Sequence, residues 1–279
     1  MAFIKVNHLD RHFPMGQKKI FGKSQHMLKA VDNVTFEIHQ GETVGIIGES
    51  GSGKTTLGRL LIGLDTPTSG TITINEQELE EIKKQNRKQF HRMNQMVFQN
   101  PFDTFDNRHT IYRIINDALN LHDIGADDQE RKSIIIEEFN KGGLIPGEQF
   151  LYRYPHQLSG GQLQRVSIIR AMLLEPQFLV ADEPVSMLDV SVRSEIIKML
   201  QFLTTQKNTT LVFISHDIAT TQFIADRLIV MYKGEVVETG RTEEIIQNPQ
   251  HDYTKLLLAS VMSIDPREGK RYRKERGIA

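Results

Sequence analysis

Gly48-Glu-Ser-Gly-Ser-Gly-Lys-Thr-Thr56 fits the pattern G-x-x-x-x-G-K-[ST], with Gly48, Gly53, Lys54 and Thr55 at the fixed places. The apolar run Thr43–Ile47 before it predicts a buried strand. After it, Leu57, Leu60, Leu61 and Leu64 recur at i, i+3, i+4 and i+7, one face of a helix. A glycine-rich turn between a strand and a helix is the setting in which this pattern cradles phosphates. Glycines at Gly48, Gly51 and Gly53, interleaved with Ser50 and Ser52, let backbone N–H groups converge on phosphate oxygens. A helix opening at Lys54 adds its positive end. Lys54 is expected to reach the β- and γ-phosphates, and the hydroxyl of Thr55, beside Thr56, to ligate Mg²⁺. The stretch therefore predicts a nucleoside triphosphate site.

Composition narrows what surrounds that site. Of 279 residues, 39% are hydrophobic and 25% charged, which suits a globular chain of one large or two small domains. Lys and Arg (34) nearly balance Asp and Glu (35), so no global field points to nucleic acid or an anionic membrane. The chain has no cysteine, which excludes disulfides, thiolate zinc sites and cysteine-ligated iron–sulfur clusters. Met1 to Pro14 has no apolar core like that of a signal peptide, and no run approaches the ~18 apolar residues of a membrane span. The expectation is a cytosolic protein that meets membranes through a partner.

Read in order, Phe3–Val6 predicts a short strand, Met15–His26 a polar loop and Val34–Ile38 a half-buried strand. Thr71–Ile74 alternates again after a turn at Pro67–Gly70. Mixed, partly antiparallel strands thus surround the phosphate loop. From Asp103 to about Tyr154 the spacing turns helical, with helices over Ile111–Leu121 and Gln129–Phe139, an insertion of helices. A further helix spans Gln162–Leu174. Phe178–Ala181 and Leu211–Ile214 are short continuous apolar runs, the mark of buried parallel strands, with a crossover helix over Ser191–Leu203 between them. A hairpin over Arg227–Thr239 turns at Lys233-Gly234, and Tyr253–Val261 predicts a last helix. Lys270–Arg276 is densely basic and reads as a solvated tail. There is no internal repeat.

Further motifs lie downstream of the phosphate loop. The strand Phe178–Ala181 ends in Asp182-Glu183; Asp182 is placed to hold Mg²⁺ through its water shell, and Glu183 to polarise a water for in-line attack on the γ-phosphate. Leu158-Ser-Gly-Gly-Gln162 precedes a helix. With Gln99 in Val97-Phe-Gln-Asn-Pro101, Ser186-Met-Leu-Asp189, and His216 in Ile214-Ser-His-Asp217, six motifs stand in order between about Phe3 and Gly240. In this the chain resembles the ABC-type ATPases, the nucleotide-binding subunits of ATP-binding cassette transporters. The resemblance implies an α/β P-loop cassette: a RecA-like mixed and parallel sheet core, an antiparallel β subdomain, and a helical insertion at about 100–175 within an ATPase domain of 1–247.

The resemblance also implies roles. Ser159, Gly160, Gly161 and Gln162 would close on the γ-phosphate of ATP held by a partner's phosphate loop, so a monomer lacks half its site. His216 would contact the γ-phosphate and hold Glu183 and the water in line. Gln99 would contact Mg²⁺ and report nucleotide state to the insertion. Asp189 would act across the dimer, and Phe13 would stack on adenine. The cofactors implied are ATP and Mg²⁺.

Three features place the chain within the family. Leu9–Pro14 before Leu28–Asp32, Tyr154–Leu158 before the signature, and Asn248–Lys255, where Asp252 stands at a position more often proline, are similar to the ATP-binding subunits of oligopeptide, dipeptide and nickel importers, especially the second ATPase of their pair. Residues 248–279 then form a C-terminal extension of that type with a basic tail. Met187 replaces a commoner alanine. The implied partners are a second homologous ATPase subunit (a homodimer being the alternative), two integral membrane permease subunits and, indirectly, an extracytoplasmic binding protein, with no nucleic acid. The expected location is the peripheral, cytoplasmic face of the membrane. Peptides lead as cargo; nickel or other chelated metals, oligosaccharides, and an export-type ATPase stay open.

Overall fold

The computed structural model describes residues 2–14 and 27–262. The loop expected over Met15–His26 and the basic run Lys270–Arg276 lie outside the described residues. The strands are β1 (Ala2–Pro14), β2 (Met27–His39), β3 (Thr43–Ile47), β4 (Ser69–Ile74), β5 (Gln77–Glu78), β6 (Asn94–Val97), β7 (Phe178–Asp182), β8 (Thr210–Ser215), β9 (Arg227–Tyr232) and β10 (Glu235–Arg241). The helices are α1 (Lys54–Leu61), α2 (Leu79–Gln85), α3 (Arg87–Met93), α4 (Ile111–Leu121), α5 (Asp128–Lys141), α6 (Glu148–Leu151), α7 (Gly160–Met172), α8 (Val190–Gln206), α9 (Ile218–Thr221), α10 (Thr242–Gln247) and α11 (Asp252–Met262). The chain divides into two compact units, Met1–Glu81 with Val212–Ala279, and Ile82–Leu211.

In the first unit β1 pairs antiparallel with both β2 and β4. Its apolar residues Ile4, Val6 and Leu9 are fully buried, as are Val31, Val34 and Ile38 across the ladder, so the alternation read over Val34–Ile38 does mark a half-buried strand. β1 runs well past Val6. Its second half carries His8, Asp10, Arg11 and His12, which no apolar pattern reveals, and its pairing with β2 is broken by register shifts. β3 lies parallel to β9, with Ile46 opposite Ile229, and β9 turns into β10 as the expected hairpin. Leu228, Ile229, Val230 and Met231 are all fully buried, the signature of a strand covered on both faces. The parallel pair is locked at its start: the Thr43 N–H donates to the Asp226 carboxylate at 2.9 Å and the Asp226 N–H returns to the Thr43 carbonyl at 2.8 Å.

The second unit carries β6 and β7, which are parallel, and most of the helices. Two of its helix starts have a clear local cause. Thr110 and Asp127 accept N–H bonds from the first turns of α4 and α5, supplying partners for amides that the helix cannot satisfy itself. Ile111, Ile115 and Leu119 on α4, and Ile135 and Phe139 on α5, are fully buried stripes. Every residue of β7 is buried. The short helices α2 and α3 fall where the sequence predicts no element. They are only 7 residues each and bury little beyond Leu79 and Phe90, too few turns for a periodicity to register. Among the described residues no helix is long and apolar enough to cross a membrane.

Candidate nucleotide site

Within the first unit, β3 delivers the chain into the phosphate loop and α1 takes it out, beginning at Lys54. Gly53 caps α1 at φ 103°, a backbone that L side chains rarely adopt, and a Cβ there would overlap the Ala30 carbonyl oxygen. The glycine is thus required twice, by conformation and by space. Lys54 is only 4% exposed. A buried ammonium must be paired, and the loop pairs it: Nζ donates to the Gly48 carbonyl at 2.9 Å, the Glu49 carbonyl at 2.7 Å and Ser52 Oγ at 3.4 Å. The lysine charge is thereby held at the centre of the turn formed by Gly48 to Gly53. Thr55 follows on the first turn of α1, exposed, and Thr56 is half-buried beside it.

The other two candidates in this unit sit on strand ends. His216 stands exposed directly after the fully buried β8. The chain around it is pinned by the Asp217 N–H donating to Ser215 Oγ at 2.9 Å and by Asp217 capping α9 through the Ala219 N–H. Phe13 lies half-buried near the end of β1, where the Arg11 guanidinium covers its ring at 4.5 Å.

In the second unit the structure brings Gln99, Glu183 and Ser186 together. Asp182 closes β7 with a carboxylate that is 4% exposed. Glu183 follows at φ 45°, left-handed backbone that is strained for a residue with a Cβ. Gln99 Nε2 donates to the Glu183 carboxylate at 3.0 Å and to Ser186 Oγ at 3.3 Å, while Ser186 Oγ donates to the Glu183 carbonyl at 3.0 Å. With its nitrogen committed in this way, Gln99 has its amide oxygen as the end to offer a cation. The Asp182 carboxylate and the Gln99 amide oxygen in this unit, and the Thr55 hydroxyl in the first, are each hard oxygen donors of the kind that suits Mg²⁺.

The signature residues lie in the same unit. Ser159 and Gln162 form a capping box at the start of α7: Ser159 Oγ accepts the Gln162 N–H at 3.2 Å, and Gln162 Oε1 accepts the Ser159 N–H at 3.1 Å. A Cβ on Gly161 would sit 2.8 Å from Val192 Cγ1, so this glycine is also what lets α7 approach α8. Ser159 to Gln162 line a cavity of about 450 Å³ together with Met187, Leu188 and Asp189. Asp189 caps α8 through its backbone and makes no side-chain cap bond. Ser186 was quoted from sequence only at the head of Ser186–Asp189, and neither it nor Tyr253 was given a role. A hydroxyl three residues after Glu183 was a signal for the first; Tyr253 lies 204 positions from its partner and left none.

A strand–glycine loop–helix with a buried lysine, and a buried strand ending in two carboxylates, define a P-loop ATPase. The sequence model of the ABC transporter family matches residues 31–186, and that of the oligopeptide/dipeptide transporter C-terminal region matches residues 237–278. The chain belongs to the ABC transporter family. Among its relatives is YkfD of Bacillus subtilis (strain 168), described as a putative oligopeptide transport ATP-binding protein. It is 40% identical over 274 residues, covering 98% of this chain and 80% of the relative. The oligopeptide transport ATP-binding protein AmiF of Streptococcus pneumoniae is 41% identical over 247 residues, covering 88% and 80%. Among solved structures, the dimeric post-hydrolysis state of the ATP-binding cassette MJ0796 bound to ADP and Pi superposes with a TM-score of 0.74 at 29% identity, covering 86% of this chain and 98% of that one.

Proposed function

We propose that this chain is the ATP-hydrolysing subunit of a bacterial ABC importer of oligopeptides or dipeptides. The observation that carries the cargo class is the C-terminal region: residues 237–278 match the region characteristic of oligopeptide and dipeptide transporters, and α10 and α11 lie within it. In this reading Gly48, Ser50, Gly51, Ser52, Gly53, Lys54, Thr55 and Thr56 hold the phosphates, and Phe13 meets the adenine on the ring face away from Arg11. Thr55, Asp182 and Gln99 would hold Mg²⁺, which when bound supplies charge neutralisation at the β- and γ-phosphates. Glu183 takes a proton from the attacking water, and Gln99 orients its carboxylate through the 3.0 Å bond. His216 contacts the γ-phosphate and keeps water and base in line.

Ser159 to Gln162 complete the site of a second subunit, with Asp189 beside them on the same cavity. The anion would meet the N-terminus of α7, a 13-residue helix whose first amides and dipole favour negative charge. The working unit is then a pair of ATPase subunits, most simply with a homologous second chain, seated on two permease subunits at the cytoplasmic face of the membrane and served indirectly by a binding protein. The test is ATP hydrolysis by this chain alone, and after mixing with candidate partner ATPases and permeases in vesicles. Turnover confined to the mixture and raised by a peptide-loaded binding protein is expected. Full turnover by the chain alone, indifferent to permeases, would overturn the importer reading.

A further inference from the structure

We infer that Tyr253, on the first turn of α11, is a positioning residue for the phosphate loop, through which the C-terminal helix sets how tightly ATP is held. The inference rests on Gly48–Thr56 being the phosphate site. The Glu49 N–H donates to the Tyr253 hydroxyl at 2.8 Å. Glu49 is the first residue of the loop after β3, and its carbonyl accepts the Lys54 ammonium at 2.7 Å. One peptide unit on either side of Glu49 is therefore held from both directions, by the lysine and by the tyrosine. Phosphate oxygens arriving at Lys54 would compete with the carbonyl, and the tyrosine would then be the tie that keeps Glu49 in place.

The tyrosine is itself built into position. Its side chain is 7% exposed, and its ring packs on that of Tyr232 with centroids 4.3 Å apart. The turn into α11 is anchored on β10: the Glu238 carboxylate accepts the N–H of Gln250 at 2.8 Å and of His251 at 3.0 Å, and His251 Nδ1 accepts the Tyr253 N–H at 3.1 Å. Leu257 and Leu258 of α11 share one buried cluster with Ile47, the residue before Gly48, and with Ile218, two residues after His216. Burial pushes the Tyr253 phenol above its ordinary value, so it stays neutral and can accept the amide across the working pH range. A loop already held in its binding turn loses less conformational freedom when phosphate arrives, which is the basis of preorganised affinity.

The test is Tyr253→Phe in the full chain, titrated with a non-hydrolysable ATP analogue and Mg²⁺, then assayed in the assembled transporter. One hydrogen bond spans about a two- to tenfold change in an equilibrium constant. A rise of that size is expected in both Kd and KM, with kcat unchanged, because the loop holds ground state and transition state alike. Thermal unfolding of the same variant separates a role confined to folding, which would lower the midpoint and leave the Kd measured well below it untouched. Glu238→Ala, which frees the turn and spares the hydroxyl, is expected to shift Kd in the same direction by less. A Tyr253→Phe Kd equal to wild type overturns the inference. Failure of the wild-type chain to bind the analogue would instead strike the reading of the phosphate loop.

Discussion

Glu183 occupies the most demanding backbone of the candidate site, left-handed at φ 45° directly after a buried strand. Such strain persists where the surroundings over-determine it, and here the Ser186 hydroxyl and the Gln99 amide both hold the residue. Glu183→Gln keeps shape and the Gln99 contact while removing the base. Analogue binding is expected to persist while steady-state phosphate release falls by about 10²–10⁴-fold; turnover at the wild-type rate would refute the assignment. Gly53→Ala acts differently, since a Cβ there meets the Ala30 carbonyl and φ is 103°. A loss of about 1–3 kcal/mol in denaturant unfolding, with nucleotide affinity lost alongside it, is the expected result.

Arg170 shows how elements of the second unit are tied. It rises from α7, covers the Phe105 ring at 4.5 Å and donates to the Thr104 carbonyl at 3.4 Å, beside the short 3-10 turn Pro101–Thr104 that follows Gln99. Removing both contacts from this half-buried site with Arg170→Ala should cost about 2 kcal/mol in urea unfolding. Arg170→Lys is not expected to restore it, because an ammonium lacks the planar face. His122, which caps the end of α4, gives this unit a pH dependence. Burial, foremost, and then Lys88 and Arg92 lower its pKa from the ordinary 6.5. The unfolded chain therefore takes up the proton first, and the stability His122 contributes is present above pH 6.5 and lost as pH falls through the lowered folded value. Thermal midpoints that drop in mild acid for wild type, and less steeply for His122→Gln, would bear this out. Among the elements, those whose pattern is local were legible from sequence: the strand Phe178–Asp182, the helix Ile111–Leu121, the hairpin at Lys233-Gly234. The polar half of β1 was not, since its order comes from ladders to β2 and β4 and from bonds such as Asn33 N–H to the Asp10 carboxylate, none of which leaves an apolar pattern. The motif residues were legible through spacing. The bonds of Gln99 to Glu183 and Ser186 and of Tyr253 to Glu49 join residues 84, 87 and 204 positions apart, beyond the reach of any window.

Across the whole chain, the first unit is written in two pieces, with residues 82–211 between them. β3, which leads into the phosphate loop, pairs with β9, and the bond from Thr43 to Asp226 spans 183 positions. A chain ending at residue 217 should therefore fail to bind nucleotide although it retains Gly48–Thr56 whole; analogue titration after in vitro translation would decide it, and wild-type affinity in that fragment would contradict the pairing's importance. The same span has a meaning in time. At about 5–20 residues per second, the ribosome delivers β9 on the order of ten to forty seconds after β3. Through that interval Val44–Ile47 has left the exit tunnel without its neighbour, an apolar edge of the kind that invites mispairing. The order of synthesis thus separates the making of the phosphate loop from its competence, since the strand that leads into it waits for a partner written about 180 residues later.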